Sequence, residues 1–297
     1  MYKNFNELNN HMQAGAGTLV VASAHDKITL EAVFAAAREY DIQYILVGDR
    51  DKIISLSSEM GCSLDDGSIV DGYDDADCAG KAVSLVNEGS GDALMKGLID
   101  TGVLLKAVLS KETGIRGSGT LSHLAILETP GYHKLIGVTD GGMIPDPVFD
   151  QKVDIVINAV EYFNRIGYEC PKVAALCASE TVNPKIQETV DAEILQGMCQ
   201  KGELGKCLLE GPLSFDLAVS KESAVKKGFS GEISGDTDIL MVPNITVGNV
   251  LAKGLIYWAG AKMAGCILGA KVPIVLSSRG ASAEEKLFSI MVSLLKK

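Results

Sequence analysis

Thr18 to Asp49 reads TLVVASAHDKITLEAVFAAAREYDIQYILVGD. TLVVA (Thr18 to Ala22) is a short, β-branched apolar run and reads as a strand. Thr29 to Tyr40 has a helical period, and Tyr44 to Val47 returns to a short apolar run. Strand, helix, strand in this order marks a βαβ unit, in which a parallel sheet is covered on both faces. The pattern continues along the chain. Further strand candidates are Ala93 to Met95, Lys134 to Val138, Val153 to Ile157, Lys172 to Cys177, Ile239 to Val242 and Ile274 to Ser277. The expected class is α/β. Thr139 to Gln151 (TDGGMIPDPVFDQ) sets two glycines and two prolines in a row that interrupts any regular element, so a boundary between two domains is expected there.

Composition narrows the function. The chain has 297 residues, 47% hydrophobic and 22% charged, enough for a large core without disulfide or metal staples. With 27 Lys plus Arg against 38 Asp plus Glu, the net charge is −11. That balance repels a phosphate backbone at long range, so no nucleic-acid partner is expected, although a local cationic pocket for a small anion remains feasible. The seven cysteines (62, 78, 170, 177, 199, 207 and 266) are scattered, odd in number and never spaced C-x-x-C. Reduced cytoplasmic thiols are the natural reading, and no metal site is expected. The N-terminal MYKNFNELNNHMQ lacks the apolar core of a secretory signal. Val250 to Val275 is the most apolar long stretch. Lys253, Lys262 and Lys271 interrupt it, and a mid-membrane lysine costs about 2.5–3.5 kcal/mol. It reads as a buried helix, with no membrane partner.

Ligands of open parallel sheets bind beyond the carboxyl ends of the strands, so the strand-to-helix loops carry the search. In VPIVLSSRGASAEEKLFSI (272–290), an apolar strand runs into Ser277, Ser278, Arg279 and Gly280 before a helix starts near Ser282. A helix start beside an arginine suits an anion. The same residues fit a plain capping box, Ser282-x-x-Glu285. A second loop, Asn244-Ile245-Thr246-Val247-Gly248-Asn249, has Lys253 one turn into the next helix; it suits a phosphate or polar tail, or is an ordinary turn. The third, GIRGSGTLSH (114–123), combines Arg116 with glycines and hydroxyls and is preceded by Lys96, Thr101 and Lys106. It is either an anion nest or a flexible loop. Dinucleotide and P-loop fingerprints are absent. Ser23, His25 and Asp26 follow the first strand and are explained equally well by a helix N-cap at Asp26.

Taken together these segments resemble the phosphate acyltransferase family, and within it the phosphate butyryltransferase branch. The resemblance rests on TLVVASAHDKITLEAV and YILVGD, ALMKGLIDTGVLLKAVL, VTDGGMIPDP, EGPLSFDLAV, VPNITVGNVLAKGL and SSRGASAEEK, spread over nearly the whole chain. It implies reversible transfer of a short acyl group, butyryl preferred, between coenzyme A and inorganic phosphate. CoA and phosphate are then substrates, and no further cofactor or metal is expected. The implied fold is two α/β/α domains with largely parallel sheets and an interdomain cleft, as in isocitrate and isopropylmalate dehydrogenases. Residues 1–139 plus 277–297 would form the first domain and 140–276 the second, in a cytoplasmic homo-oligomer, dimer or higher.

The acetyl branch uses a serine and arginine followed by glycine, and an aspartate six positions beyond the arginine. Here those positions are Ser278, Arg279, Gly280 and Glu285. The glutamate departs from the pattern, keeping the carboxylate but extending its reach by one methylene. The resemblance assigns catalysis to Ser278, Arg279 and Glu285. Substrate binding is expected at Lys106, Arg116, Ser122, Asn244, Thr246, Gly248, Asn249, Lys253 and Gly280. Lys106 falls near an anion-binding arginine of the acetyl branch, and lysine lacks its bidentate geometry. An NAD-dependent decarboxylating dehydrogenase and a catalytically inactive CoA-binding relative are the rival readings; a metal-binding carboxylate constellation would favour the former, and phosphate-dependent CoA release would rule out the latter.

Overall fold

The computed structural model describes residues 1–11, 17–117, 119–276 and 281–295. The chain forms two compact units, one of Asn9–Gly119 with Ala264–Lys296 and one of Met1–Leu8 with Thr120–Met263. A short helix α1 (Phe5–Asn9) precedes the first strand. The first unit then runs β1 (Thr18–Ala22), α2 (Lys27–Tyr40), β2 (Gln43–Gly48), α3 (Arg50–Glu59), β3 (Ile69–Asp71), α4 (Asp75–Asn87), β4 (Ala93–Lys96) and α5 (Thr101–Val108). The second contains β5 (Ser122–Glu128), β6 (Ile136–Thr139), α6 (Phe149–Arg165), β7 (Lys172–Leu176), α7 (Gln187–Gln200), β8 (Leu208–Leu213), α8 (Phe215–Val219), α9 (Lys221–Lys226), β9 (Ile239–Met241) and α10 (Ile245–Ala259). The remaining elements are β10 (Lys262–Leu268), β11 (Ile274–Val275) and α11 (Ala283–Leu294).

In the first unit the strand order is β3-β2-β1-β4-β11-β10. β1 lies between parallel neighbours, with Leu19 beside both Tyr44 and Ala93. A strand sandwiched in this way buries both faces, which is why TLVVA is an unbroken apolar run rather than an alternating one. α2 lays Leu30, Val33 and Phe34 on the core, and α11 packs against α2. β11 pairs in parallel with β4, Ile274 beside Leu94, so the chain leaves β11 at the same end of the sheet at which it leaves β4. The second unit has the order β5-β6-β9-β7-β8, in which β5 and β6 form an antiparallel hairpin and the others pair in parallel. Its core includes Leu127, Ile136, Val138, Leu213 and Leu240.

Four expectations change. The division of contacts falls at 119/120 and 263/264 instead of 139/140 and 276/277. The cause is the β5–β6 hairpin, which ties residues 122–139 to the strands of the second unit, leaving the Gly/Pro-rich 139–148 segment as a strand-to-helix loop inside that unit. Val153 to Ile157 lies within α6, where Ile155 with Ala159 and Val156 with Val160 are buried at helical spacing. Val250 to Val275 is not one helix: α10 stops at Ala259, Gly260 takes a left-handed conformation (φ 67°), and β10 and β11 follow as an antiparallel pair. Nor is α10 deeply buried, since only Gly248 and Ala252 are buried while Trp258 is 92% exposed. No helix among the described residues is long and apolar enough to cross a membrane.

Candidate active site

Strand-to-helix turns of the first unit end on aspartates. Asp26 accepts a hydrogen bond from the Thr29 amide, Asp49 from Lys52, Asp74 from Asp77 and Asp100 from Gly102. The polar run after β1 is occupied by such contacts: Ser23 Oγ donates to Asp75 and His25 Nδ1 accepts from the Asp49 amide. A carboxylate at the helix start takes the position in which a bound anion would sit.

The turn from β11 into α11 is capped differently. Ser282 Oγ accepts from the Glu285 amide at 3.0 Å, and no aspartate is involved. Glu285 is partly buried. Burial raises its carboxyl pKa, against the opposing pull of the Ser282 backbone amide and Lys286. The capping geometry is therefore present, and the same carboxyl is also a stronger base than a solvated glutamate. Ser278, Arg279 and Gly280 lie outside the described residues.

Among the described residues, the glycine-rich segment before β5 is tied down through its backbone. Ile115 donates to the Val108 carbonyl, Gly114 to Ser110 and Gly117 to Gly269, while Lys271 donates back to Ile115. Arg116 bridges to Ala270, is exposed, and is thus held beside the hairpin turn from β10 into β11. Lys106 is exposed in the last turn of α5, away from the helix start where an anion would be held. Lys96 instead ends β4, beside β11, and its Nζ donates to the carbonyls of Gly97 and Ile99. From the sequence, Lys96 stands only as a cation preceding the third loop and not among the substrate-binding candidates; its position at the carboxyl end of a parallel strand is what marks it.

In the second unit, Ser122 is the first residue of β5, 1% exposed, and its Oγ accepts from Asn158 Nδ2. That places it in the framework and not on a substrate loop. Asn244 caps α10 by accepting from the Val247 amide at 3.1 Å. Thr246, Asn249 and Lys253 are exposed along the first turns. Gly248 is buried for a packing reason: a Cβ there would stand 2.7 Å from the Gly141 Cα and 3.0 Å from the Asp140 carbonyl. The amides of Ile245 and Val247 are used by Pro145 and Asn244, so an anion here would meet the helix dipole, the Thr246 hydroxyl and Lys253 more than a ring of open amides.

The neighbouring TDGGM turn satisfies itself. Asp140 accepts from the amides of Gly142, Met143 and Ile144 at 2.7–3.1 Å. Close to it, burial lowers the pKa of His123 against the opposing charge of Asp140, which favours a neutral imidazole. The EGPLSFDLAV segment supplies Ser214 and Asp216, which with Glu180 hold Lys227. A cavity of about 420 Å³ beside this cluster is lined by Glu180, Gln196, Glu210, Pro212 and Phe229, a lining whose carboxylates disfavour phosphate. None of the catalytic or substrate-binding candidates lines it, although Glu210, Gly211 and Pro212 of the EGPLSFDLAV segment do. Among the described residues, no group of three or more His, Cys, Asp or Glu side chains is arranged to hold a metal ion.

Comparison with known proteins identifies the family of the chain. The chain is 41% identical over 296 residues to the phosphate butyryltransferase of Clostridium acetobutylicum, covering 99% of this chain and 98% of that one. It is 39% identical over 284 residues to the phosphate acetyltransferase of Thermotoga maritima, covering 95% and 96%. A branched-chain phosphotransacylase from Enterococcus faecalis V583 superposes with a TM-score of 0.82 at 36% identity, over 93% of this chain and 97% of that one. The family model described as phosphate acetyl/butaryl transferase matches residues 73–294, and the chain belongs to that family of acyltransferases.

Proposed function

We propose that the chain transfers a short acyl group, butyryl preferred, reversibly between coenzyme A and inorganic phosphate. The observation that carries this reading is the 41% identity to a phosphate butyryltransferase over nearly the full length of both chains. In the acyl-phosphate-consuming direction, Glu285 removes the proton of the CoA thiol, whose ordinary pKa is about 8.5. The thiolate attacks the acyl carbonyl carbon, the bond from that carbon to the phosphate oxygen breaks, and inorganic phosphate leaves. Arg279 stabilises the oxyanion as it develops, and Ser278 donates to the carbonyl oxygen or, in reverse, to the departing thiolate. Gly280 is assigned to substrate binding by its place after Arg279.

Asn244, Thr246, Asn249 and Lys253 at the start of α10 are candidates to hold the phosphate or the polar parts of CoA. In the first unit, Arg116 and Lys106 are candidates for such anions, and Lys96 joins them because it stands at the carboxyl end of β4. Gly248 contributes through close packing against Gly141. The reaction as proposed uses two substrates and protein groups, with no cofactor, in a cytoplasmic homo-oligomer.

The test is phosphate-dependent release of CoA from butyryl-CoA, followed with a thiol reagent in the presence of a chelator. No release, or release that returns only with a divalent ion, overturns the reading. The Thermotoga maritima relative favours a second reading, preference for acetyl. Comparing kcat/KM for acetyl-, butyryl- and longer acyl-CoA separates the two.

A further inference from the structure

Three of the seven cysteines gather where α7 turns into β8. Cys199 occupies the last turn of α7, and Cys207 immediately precedes β8. Their sulfurs are 3.7 Å apart, and Cys199 Sγ also donates to the Cys207 carbonyl at 3.4 Å. The connecting turn sets this approach through its backbone. Gly202 and Gly205 adopt left-handed conformations (φ 77° and 82°), and the amides of Lys201, Gly202 and Glu203 donate to carbonyls of Met198 and Cys199. Only glycine adopts such angles freely, so the turn fixes the two thiols in contact. Both cysteines are partly accessible, and Cys170, at the start of β7, is exposed.

We propose that Cys199 and Cys207 form a modification site, a dithiol that closes to an intramolecular disulfide by exchange with a low-molecular-weight disulfide. The Cys199 thiolate attacks one sulfur of the small disulfide, forming a mixed disulfide and releasing one small thiol. Cys207 loses its proton to solvent and attacks Cys199 Sγ, expelling the second small thiol. The protein loses two electrons and two protons, and one small disulfide becomes two thiols. Cys199 is the entry point, because burial and the neighbouring Cys199 thiol push the Cys207 pKa up to about 12 and leave little thiolate there. The product ties the end of α7 to the start of β8 across a short turn.

The geometry needed is already present on one side of the exchange. Formation of a bond requires the sulfurs to close from their present contact to about 2.05 Å, a movement within reach of rotation about the two Cβ–Sγ-bearing torsions. Cys170 supplies the competing outcome, since it is close enough to raise the Cys207 pKa and is the most exposed of the three.

The experiment treats the reduced full chain with oxidised glutathione, quenches with an alkylating agent, and maps tryptic peptides without reduction. Lys201 and Lys206 lie between the two cysteines, so the expected disulfide joins the peptide Ile186 to Lys201 to the peptide Cys207 to Lys221. Cys170 lies in a separate peptide, Ile166 to Lys172. In Cys207→Ser, which circular dichroism should show folded, Cys199 should retain glutathione as a stable adduct. Three results overturn the proposal: both thiols of the wild-type chain remaining alkylated, a link from either to Cys170, or persistent glutathione on Cys199 in the presence of Cys207.

Discussion

The helices of the first unit and α10 of the second begin on opposite kinds of residue. α2, α3, α4 and α5 start on Asp26, Asp49, Asp74 and Asp100, whereas α10 starts on Asn244 and has no acidic residue in its first turn. Both kinds of cap satisfy a backbone amide, so both specify a helix start equally well. They differ in charge. The aspartates neutralise the positive end of their own helix, while the amide leaves it available to an anion. α11 stands between the two cases, with a neutral Ser282 cap followed by Glu284 and Glu285. That combination suits a place where a proton must move more than one where phosphate must rest.

The largest effect that tests this division is expected at α11. Glu285→Gln keeps the Ser282 cap, because the bond runs from the residue 285 amide to the serine hydroxyl, and it removes the base. Turnover should fall roughly 100-fold or more with little change in melting temperature. In the wild type, the raised pKa of Glu285 means that the base is supplied only as the pH climbs past the ordinary glutamate range. The acid limb of the kcat profile should therefore lie above that range, and it should vanish in the variant. Glu284→Gln is the control; if it proves the damaging change, the base belongs one position earlier. Next in size, Arg279→Ala should cost at least about 2 kcal/mol in kcat/KM, the scale of one lost oxyanion donor. A folded variant with near-normal turnover would return Arg279 to the role of a surface cation.

A third change separates packing from binding at the α10 loop. Gly248→Ala places a Cβ 2.7 Å from the Gly141 Cα, backbone against backbone, with no flexible side chain to yield. It should lower stability by about 1–3 kcal/mol, read by thermal or urea unfolding. Unchanged stability would mean that the TDGGM turn moves freely away from α10.

How far the sequence could be read follows from the same local signals. β1, α2 and β2 were legible because a strong apolar run, an Asp26 cap and a helical stripe agree with one another. Val153 to Ile157 was not, because a five-residue apolar run fits a strand or a helix turn, and only its neighbours at Ala159, Val160 and Phe163 decide. β10 was hidden inside an apolar stretch whose one break, Gly260, needs a positive φ to act as a stop. At the site, the Asn244 and Ser282 caps could be anticipated from residue type, but the burial of Ser122 could not. Its hydroxyl looks like that of any polar loop residue until Asn158 is brought to it from α6. Gly248 likewise reads as a ligand-binding glycine until Gly141 appears against it. Lys96 stands outside the substrate-binding candidates in the sequence because a strand-ending lysine gains meaning only when β11 is set beside β4.

Charge at the helix start gives the next test. Asn244→Asp preserves the acceptor for the Val247 amide and adds favourable interaction with the dipole, so stability should hold or rise slightly. A carboxylate a few ångströms from bound phosphate should nevertheless raise KM for phosphate about tenfold, the scale of a like-charge contact of roughly 1.4 kcal/mol in a partly solvated site. An unchanged KM would remove α10 from the phosphate site and leave its neutral cap without functional meaning.

The smallest expected effect is the mirror image, Asp26→Asn in α2. Asparagine retains the acceptor for the Thr29 amide, so the helix start is kept. What is lost is the attraction between a carboxylate and the helix N-terminus, about 0.3–1 kcal/mol at low ionic strength and less at high salt. Urea unfolding at two salt concentrations should show that loss shrinking as salt is added. KM for phosphate should stay unchanged, because the Asp26 side chain already occupies the positive end of α2. If removing this charge instead lowered KM for phosphate, the aspartate would be repelling a bound anion, and the first unit's helix starts would belong to the phosphate site. Charge at the start of α2 would then bear on phosphate affinity, and the contrast between carboxylate-capped and amide-capped helices would lose its functional meaning.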